Sequence, residues 1–200
     1  MKDTNPFLTM LLQLRPQLLW DLMFCLPGKV TGYDPDLQRA TVEVGIQRHE
    51  GEGVFNTLPE IRHAPVQFSG SAQWSVFHEL PEGTEGLIHF SQRSVDYWIE
   101  QGGPVRPLDA RMFDATDAFF APGYRSRATS ISGLPTDGIG MSNASGSVRL
   151  HLTDDGINLS AGGQTLSLSS GGLQHNGKNI GSTHKHGGVA SGGSKTDGPE

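Results

Sequence analysis

Apolar and polar residues along this chain follow three different periods. Leu8, Leu11, Leu12, Leu18, Leu19 and Leu22 recur at roughly helical spacing within the apolar run 7–26. Asn5-Pro6 reads as an N-cap followed by proline at the first helical position. Pro16 interrupts the run, so one or two short helices are expected, ending at Pro27-Gly28. Arg15, Pro16 and Asp21, with no small-residue cleavage site after them, argue against a signal peptide or membrane anchor. The polar side is not basic, which disfavours an interfacial membrane helix.

Beyond Gly28 the period shortens to two. Ala40, Val42, Val44 and Ile46 alternate with Thr41, Glu43 and Gly45, as in a half-buried strand. Segments 28–33, 64–68, 75–78, 86–90 and 95–99 read as further strands. Turn signals separate them, such as Asp34-Pro35-Asp36, Ser69-Gly70-Ser71 and Pro81-Glu82-Gly83. About five short strands make an OB-like barrel, and the pattern alone does not separate it from an SH3-like one. Alternation fades over 101–122, which reads as a linker with Phe113, Phe119 and Phe120 as anchors.

A nine-residue repeat follows. Residues 148–156, 157–165 and 166–174 align without gaps. Their first and third positions hold Val148/Leu150, Ile157/Leu159 and Leu166/Leu168. Residues i and i+2 of a strand share a face, so each unit offers one aliphatic pair. Gly or Asp-Gly near the end of each unit supplies a turn. A calcium-binding β-roll needs Gly-Gly-x-Gly-x-Asp in every repeat; only the first repeat has an Asp pair, Asp154-Asp155. Six aliphatic side chains cannot make a core for one chain. Three chains sharing one core can, which points to an intertwined homotrimeric β-helix.

Composition agrees with this division. All of the 9 Phe, 3 Trp and 3 Tyr lie at or before Tyr124, whereas 17 of the 27 glycines fall from residue 123 onward. The rear therefore lacks the large side chains of an ordinary core. The net charge is -6, and neither half carries a basic stripe, so nucleic-acid binding is not expected. The one cysteine, Cys25, cannot form an intrachain disulfide and reads as a small buried hydrophobe. No GxSxG, P-loop, HExxH or CxxC motif is present. Glu79 and Glu85 are carboxylates with nothing to mark them as a catalytic pair, so the chain reads as non-enzymatic.

Candidate chemistry sits near the end, in His184-Lys185-His186. In an extended chain the two imidazoles face the same way. Two ligands alone are an incomplete site, and spacing by itself favours two exposed histidines in a flexible tail. On a threefold axis, however, two become six. Six imidazole nitrogens suit an octahedral Fe, Ni, Cu or Zn rather than tetrahedral zinc, and spacing does not choose among the metals. A closed shell would clamp chains together rather than catalyse. His175 opens the next, degenerate repeat and reads as an inward-facing group near the tip, a polar filler or a turn residue; His151 falls at an outward, solvated position. His49, His63, His78 and His89 are scattered through the barrel and read as structural.

The segments "PGKV", "EGLIHFSQRSVDYWIEQGG", "RMFDATDAFFAPG", the glycine-rich repeats and the closing "STHKHGGVASGG" together resemble a phage baseplate assembly protein V, the central spike of Mu-like contractile-tailed phages. The resemblance implies a mainly β protein: a short N-terminal helix (1–27), an OB-like barrel (28–100), a linker (101–122), a trimeric β-helix shaft (123–181) and a pointed tip (182–200). It implies one iron per trimer, held by His184 and His186 of each chain. It further implies docking on the baseplate hub and tail tube, a place in the virion tail after synthesis in the host cytoplasm, and puncture of the host outer membrane. A bacterial contractile injection system uses the same architecture, and a receptor-binding fibre tip is a further alternative. Residues 191–200 run past the His-x-His, and their order is left open.

Overall fold

The computed structural model describes residues 5–20, 22–185, 187–188 and 192–193. The protein is mainly β and divides into two units, Met1–Ser130 and Ile131–Glu200. The division falls just past the expected boundary at Pro122-Gly123.

The front unit starts with α1 (Pro6–Trp20). Asn5 caps it as expected: its side-chain oxygen accepts from the Phe7 N–H at 3.0 Å. Pro16 does not split the helix. The helix ends at Trp20, short of the predicted stop, and Pro27-Gly28 lies inside β1 (Cys25–Asp34). Four more strands complete the main sheet: β2 (Arg39–Val44), β5 (Ile61–Pro65), β6 (Glu85–Phe90) and β7 (Ala118–Pro122), in the order β5-β2-β1-β6-β7. All neighbours are antiparallel. An isolated parallel bridge, Val66 to Phe120, links the chain after β5 with β7 and curls the sheet into a half-barrel. The small hairpin β3 (Arg48–His49) and β4 (Phe55–Asn56) stands apart from it.

Four sequence expectations change here. Residues 95–99, expected as strand, lie mostly in helix α2 (Asp96–Gln101). Residues 75–78 form no strand; the segment is a tight loop with one bridge, Gly70 to Ser75. Within the expected linker, residues 118–122 are a core strand: Phe120 and Ile88 are fully buried beside Val30 and Val42. Cys25, expected inside, is exposed at the start of β1, its sulfur 3.7 Å from Nδ1 of His89.

One buried charge explains the first and third of these changes. Asp117 is fully buried. It accepts from the Val95 backbone N–H at 2.9 Å, from Arg111 Nε at 2.7 Å and from Arg111 Nη2 at 2.9 Å. Arg111 also bonds Asp96 and Asp109. Ser94 donates to Asp96 at 2.7 Å and so turns the chain into α2. Asp117 thus ties the start of α2 to the entry of β7, and the paired guanidinium compensates its burial. These hydrogen bonds, Asp117's first, raise the Arg111 pKa further above its ordinary value.

The sheet turns tightly where two glycines face each other, Gly28 in β1 and Gly86 in β6. A Cβ on Gly86 would lie 2.5 Å from the Ala121 carbonyl oxygen and 2.5 Å from the Phe120 ring; one on Gly28 would lie 2.6 Å from Ile88. The absent side chains let β7 and its Phe120 ring close over β6.

The rear unit is one six-stranded antiparallel meander in sequence order: β8 (Ile139–Ser142), β9 (Arg149–Thr153), β10 (Gly156–Ala161), β11 (Gln164–Ser169), β12 (Gly172–His175) and β13 (Lys178–Asn179). From β9 onward every connection is a two-residue turn. Gly162-Gly163 and Asn176-Gly177 hold both turn residues at positive φ, as the tight hairpin turns that match strand twist require. Within one chain, then, the repeats build hairpins rather than the coils of a solenoid.

Two outcomes test this account. Arg111→Met leaves the Asp117 carboxylate buried without its partner and is expected to destabilise the chain by about 3 kcal/mol in urea unfolding. Gly86→Ala is expected to cost about 1–3 kcal/mol by overpacking against β7. Acid should weaken the front unit as well. The Asp96 carboxyl is lowered, chiefly by the Ser94 hydroxyl, and the Asp114 carboxyl chiefly by the Thr116 N–H. A carboxyl depressed in the folded state stabilises above its unfolded pKa, so stability should fall as pH drops through about 4 and below. Asp96→Asn and Asp114→Asn should flatten that acid limb.

Candidate metal centre and assembly face

The meander separates its residues by face. Leu150 pairs with Leu159 and Leu152 with Ile157; Ile157 pairs with Leu168 and Leu159 with Leu166. Directly opposed residues share a face, so the aliphatic positions form a continuous stripe. Leu173 extends it at β12, and Ile139 and Met141 at β8. The other face carries Arg149, His151, Asn158, Ser160, Ser167 and Gln174.

Among the described residues of the rear unit, nothing covers this stripe. No described residue from 131 onward is buried, and Ile139, Met141 and Leu168 expose 76%, 61% and 51% of their surface. The repeat reading identified Ile157, Leu159, Leu166 and Leu168 correctly. It placed the first pair two residues early, because Leu150 and Leu152 fill the β9 ladder positions while Val148 precedes the strand. It missed β8, whose signal was the short alternation Ile139-Gly140-Met141.

A side-chain scaffold shapes the segment after β13. Asn179 accepts from the Gly181 N–H at 2.8 Å and donates to Thr183 Oγ1 at 2.9 Å. This turn brings His184 back over Gly181: the His184 N–H reaches the Gly181 carbonyl at 3.1 Å, and its ring Nδ1 reaches the same oxygen at 2.7 Å. A carbonyl oxygen can only accept, so Nδ1 donates; in the neutral ring Nε2 is then the acceptor nitrogen. Metal-bound histidines use the same arrangement, with one nitrogen donating to a carbonyl and the other ligating. The second expected ligand, His186, lies outside the described residues. Among the described residues no three His, Cys, Asp or Glu side chains converge.

The remaining candidates have other surroundings. His175 pairs with Leu166 and so shares the apolar face. His151, expected to be solvated, is largely covered, and its Nε2 lies 2.8 Å from the Asp137 carbonyl oxygen. The four front-unit histidines are exposed rather than set in the core; His49 stacks on Phe55 at 4.8 Å and His78 meets the Phe68 ring edge at 5.3 Å. Glu85 holds a turn, accepting from the Ser126 N–H and hydroxyl and from the Thr129 hydroxyl. These bonds, the Ser126 N–H first, lower its pKa, the opposite of what a general acid needs. Asp154 and Asp155 form the two-residue turn between β9 and β10.

Comparison with known families meets this picture at both ends. Residues 26–123 match the phage protein Gp138 N-terminal domain, and that span covers the five-stranded sheet. Residues 182–200 match the GpV apex motif, and that span contains His184 and His186. No curated protein matches the chain. Both matches are to phage baseplate spike families of the GpV type, and the chain is similar to them over these two spans.

Proposed function

We propose that three copies of this chain form a non-enzymatic spike at the tip of a contractile phage baseplate, which punctures the host outer membrane. One observation carries the reading: the aliphatic stripe of the rear sheet is continuous and, among the described residues of the rear unit, uncovered. A contiguous bare apolar face of this kind marks an interaction surface. Three identical sheets around an axis would turn these stripes toward each other and leave the Ser, Asn and Arg face outside. The result is an intertwined, slim β-shaft with no aromatic bulk.

The front unit would then be the docking part. Its strand order, with a parallel bridge between the outer strands, is that expected of an OB-like barrel. Its acidic surface suits attachment to baseplate hub and tail tube proteins rather than to nucleic acid. A place in the virion tail baseplate follows from both matched families.

At the tip, His184 and His186 of each chain would hold one metal, with iron as the proposed ion. The Gly181 carbonyl sets His184 in the tautomer that ligates through Nε2. Bound iron would supply a six-coordinate cross-link that keeps three chain ends from fraying.

Sedimentation of the full chain should give a trimer, and elemental analysis one transition metal per three chains. The double variant His184→Ala, His186→Ala should lose the metal and keep the trimer. Retention of full metal content would remove the site. Leu159→Asp with Leu166→Asp puts six carboxylates in the proposed core and should yield monomers; an intact trimer would remove the shared core.

A further inference from the structure

We propose that α1 packs against α1 of two other copies, as a short parallel three-helix bundle at the N-terminal end of the assembly. The inference rests on the trimer reading above and extends it to a part of the chain that neither family match covers. Phe7, Leu8, Met10, Leu11, Leu12 and Leu14 are all exposed, with Phe7 and Leu12 each at 63%. At 3.6 residues per turn these six side chains span an arc of about 200°. Thr9 lies outside the arc, with its hydroxyl on the Asn5 carbonyl at 3.2 Å.

The width of the arc selects the occupant. A two-helix seam covers only a narrow strip of each helix, whereas a helix in a threefold bundle touches two neighbours and also covers its flanks. Phe7, Leu11 and Leu14 follow the four-three spacing of such a seam, and Leu8 and Met10 flank it. No charged residue falls between Pro6 and Leu14; the one charge in α1, Arg15, follows Leu14 and is not at one of the four-three seam positions. A threefold axis makes the three helices parallel and brings the same face of each inward. A bilayer is the poorer occupant. Fifteen residues rise about 22 Å, against a hydrocarbon core of about 30 Å, and no described helix is long and apolar enough to cross a membrane.

The test is site-directed cross-linking of the full chain with Cys25→Ser as background. Leu11→Cys treated with a short trifunctional maleimide should give covalent trimers, and Thr9→Cys several-fold fewer. Sedimentation of the same samples separates the two proposals. Trimers that sediment normally but do not cross-link at Leu11, or that cross-link equally at both positions, overturn the bundle and leave the apolar arc to another baseplate protein, with the trimeric shaft intact. Monomers in sedimentation overturn the trimer reading itself, and the bundle with it.

Discussion

Each strand of the rear unit from β9 to β12 places its aliphatic side chains on one face, and among the described residues no second layer covers them. Burial of apolar surface is the main favourable term in folding, and here a single chain cannot collect it. A sheet of this size has two ways out: another layer from its own chain, or the same layer from a copy. The chain offers no other layer in Ile131–Glu200, where the described residues are strands, turns and short loops. The proposed trimer follows from that shortage. So does the slimness of the proposed shaft, because aliphatic stripes meeting on an axis need little width.

The front unit solves the same problem alone. Its sheet curls on itself, so Val30, Val42, Ile88 and Phe120 pack inside one chain. Two features permit this. The facing glycines Gly28 and Gly86 let β7 approach β6 closely. The buried Asp117 fixes the path from α2 to β7 through one backbone N–H and one guanidinium. A part proposed to dock must hold its shape before partners arrive, whereas the proposed shaft can form with its copies.

The candidate metal centre shows a similar division between local and shared. The turn that orients His184 is built by Asn179, Gly181 and Thr183 of the same chain. One chain supplies at most two imidazoles from this motif, so a closed octahedral shell needs copies. A histidine already held in its ligating tautomer reduces the ordering that metal binding must impose.

Local periodicity was legible in the sequence because it depends only on near neighbours. Residues i and i+2 on a strand share a face whatever lies opposite, so Ile157, Leu159, Leu166 and Leu168 declared one side of a sheet. Asn5-Pro6 declared the start of α1 for the same reason. The His-x-His was likewise legible in a contiguous run, 182–193, and the spike resemblance in that run together with runs such as 85–103 and 111–123. What the tertiary structure decided depends on distant partners. Val95 starts a helix because Asp117, 22 residues on, accepts its N–H. Residues 118–122 become a core strand because β6 is there to pair with them. Cys25 sits on the surface although its neighbours are apolar, since strand direction rather than composition sets which side chains turn inward. The aromatic-free rear carries the same lesson. Composition declared that it could not make an ordinary core, and only the register of its strands revealed one unbroken apolar face.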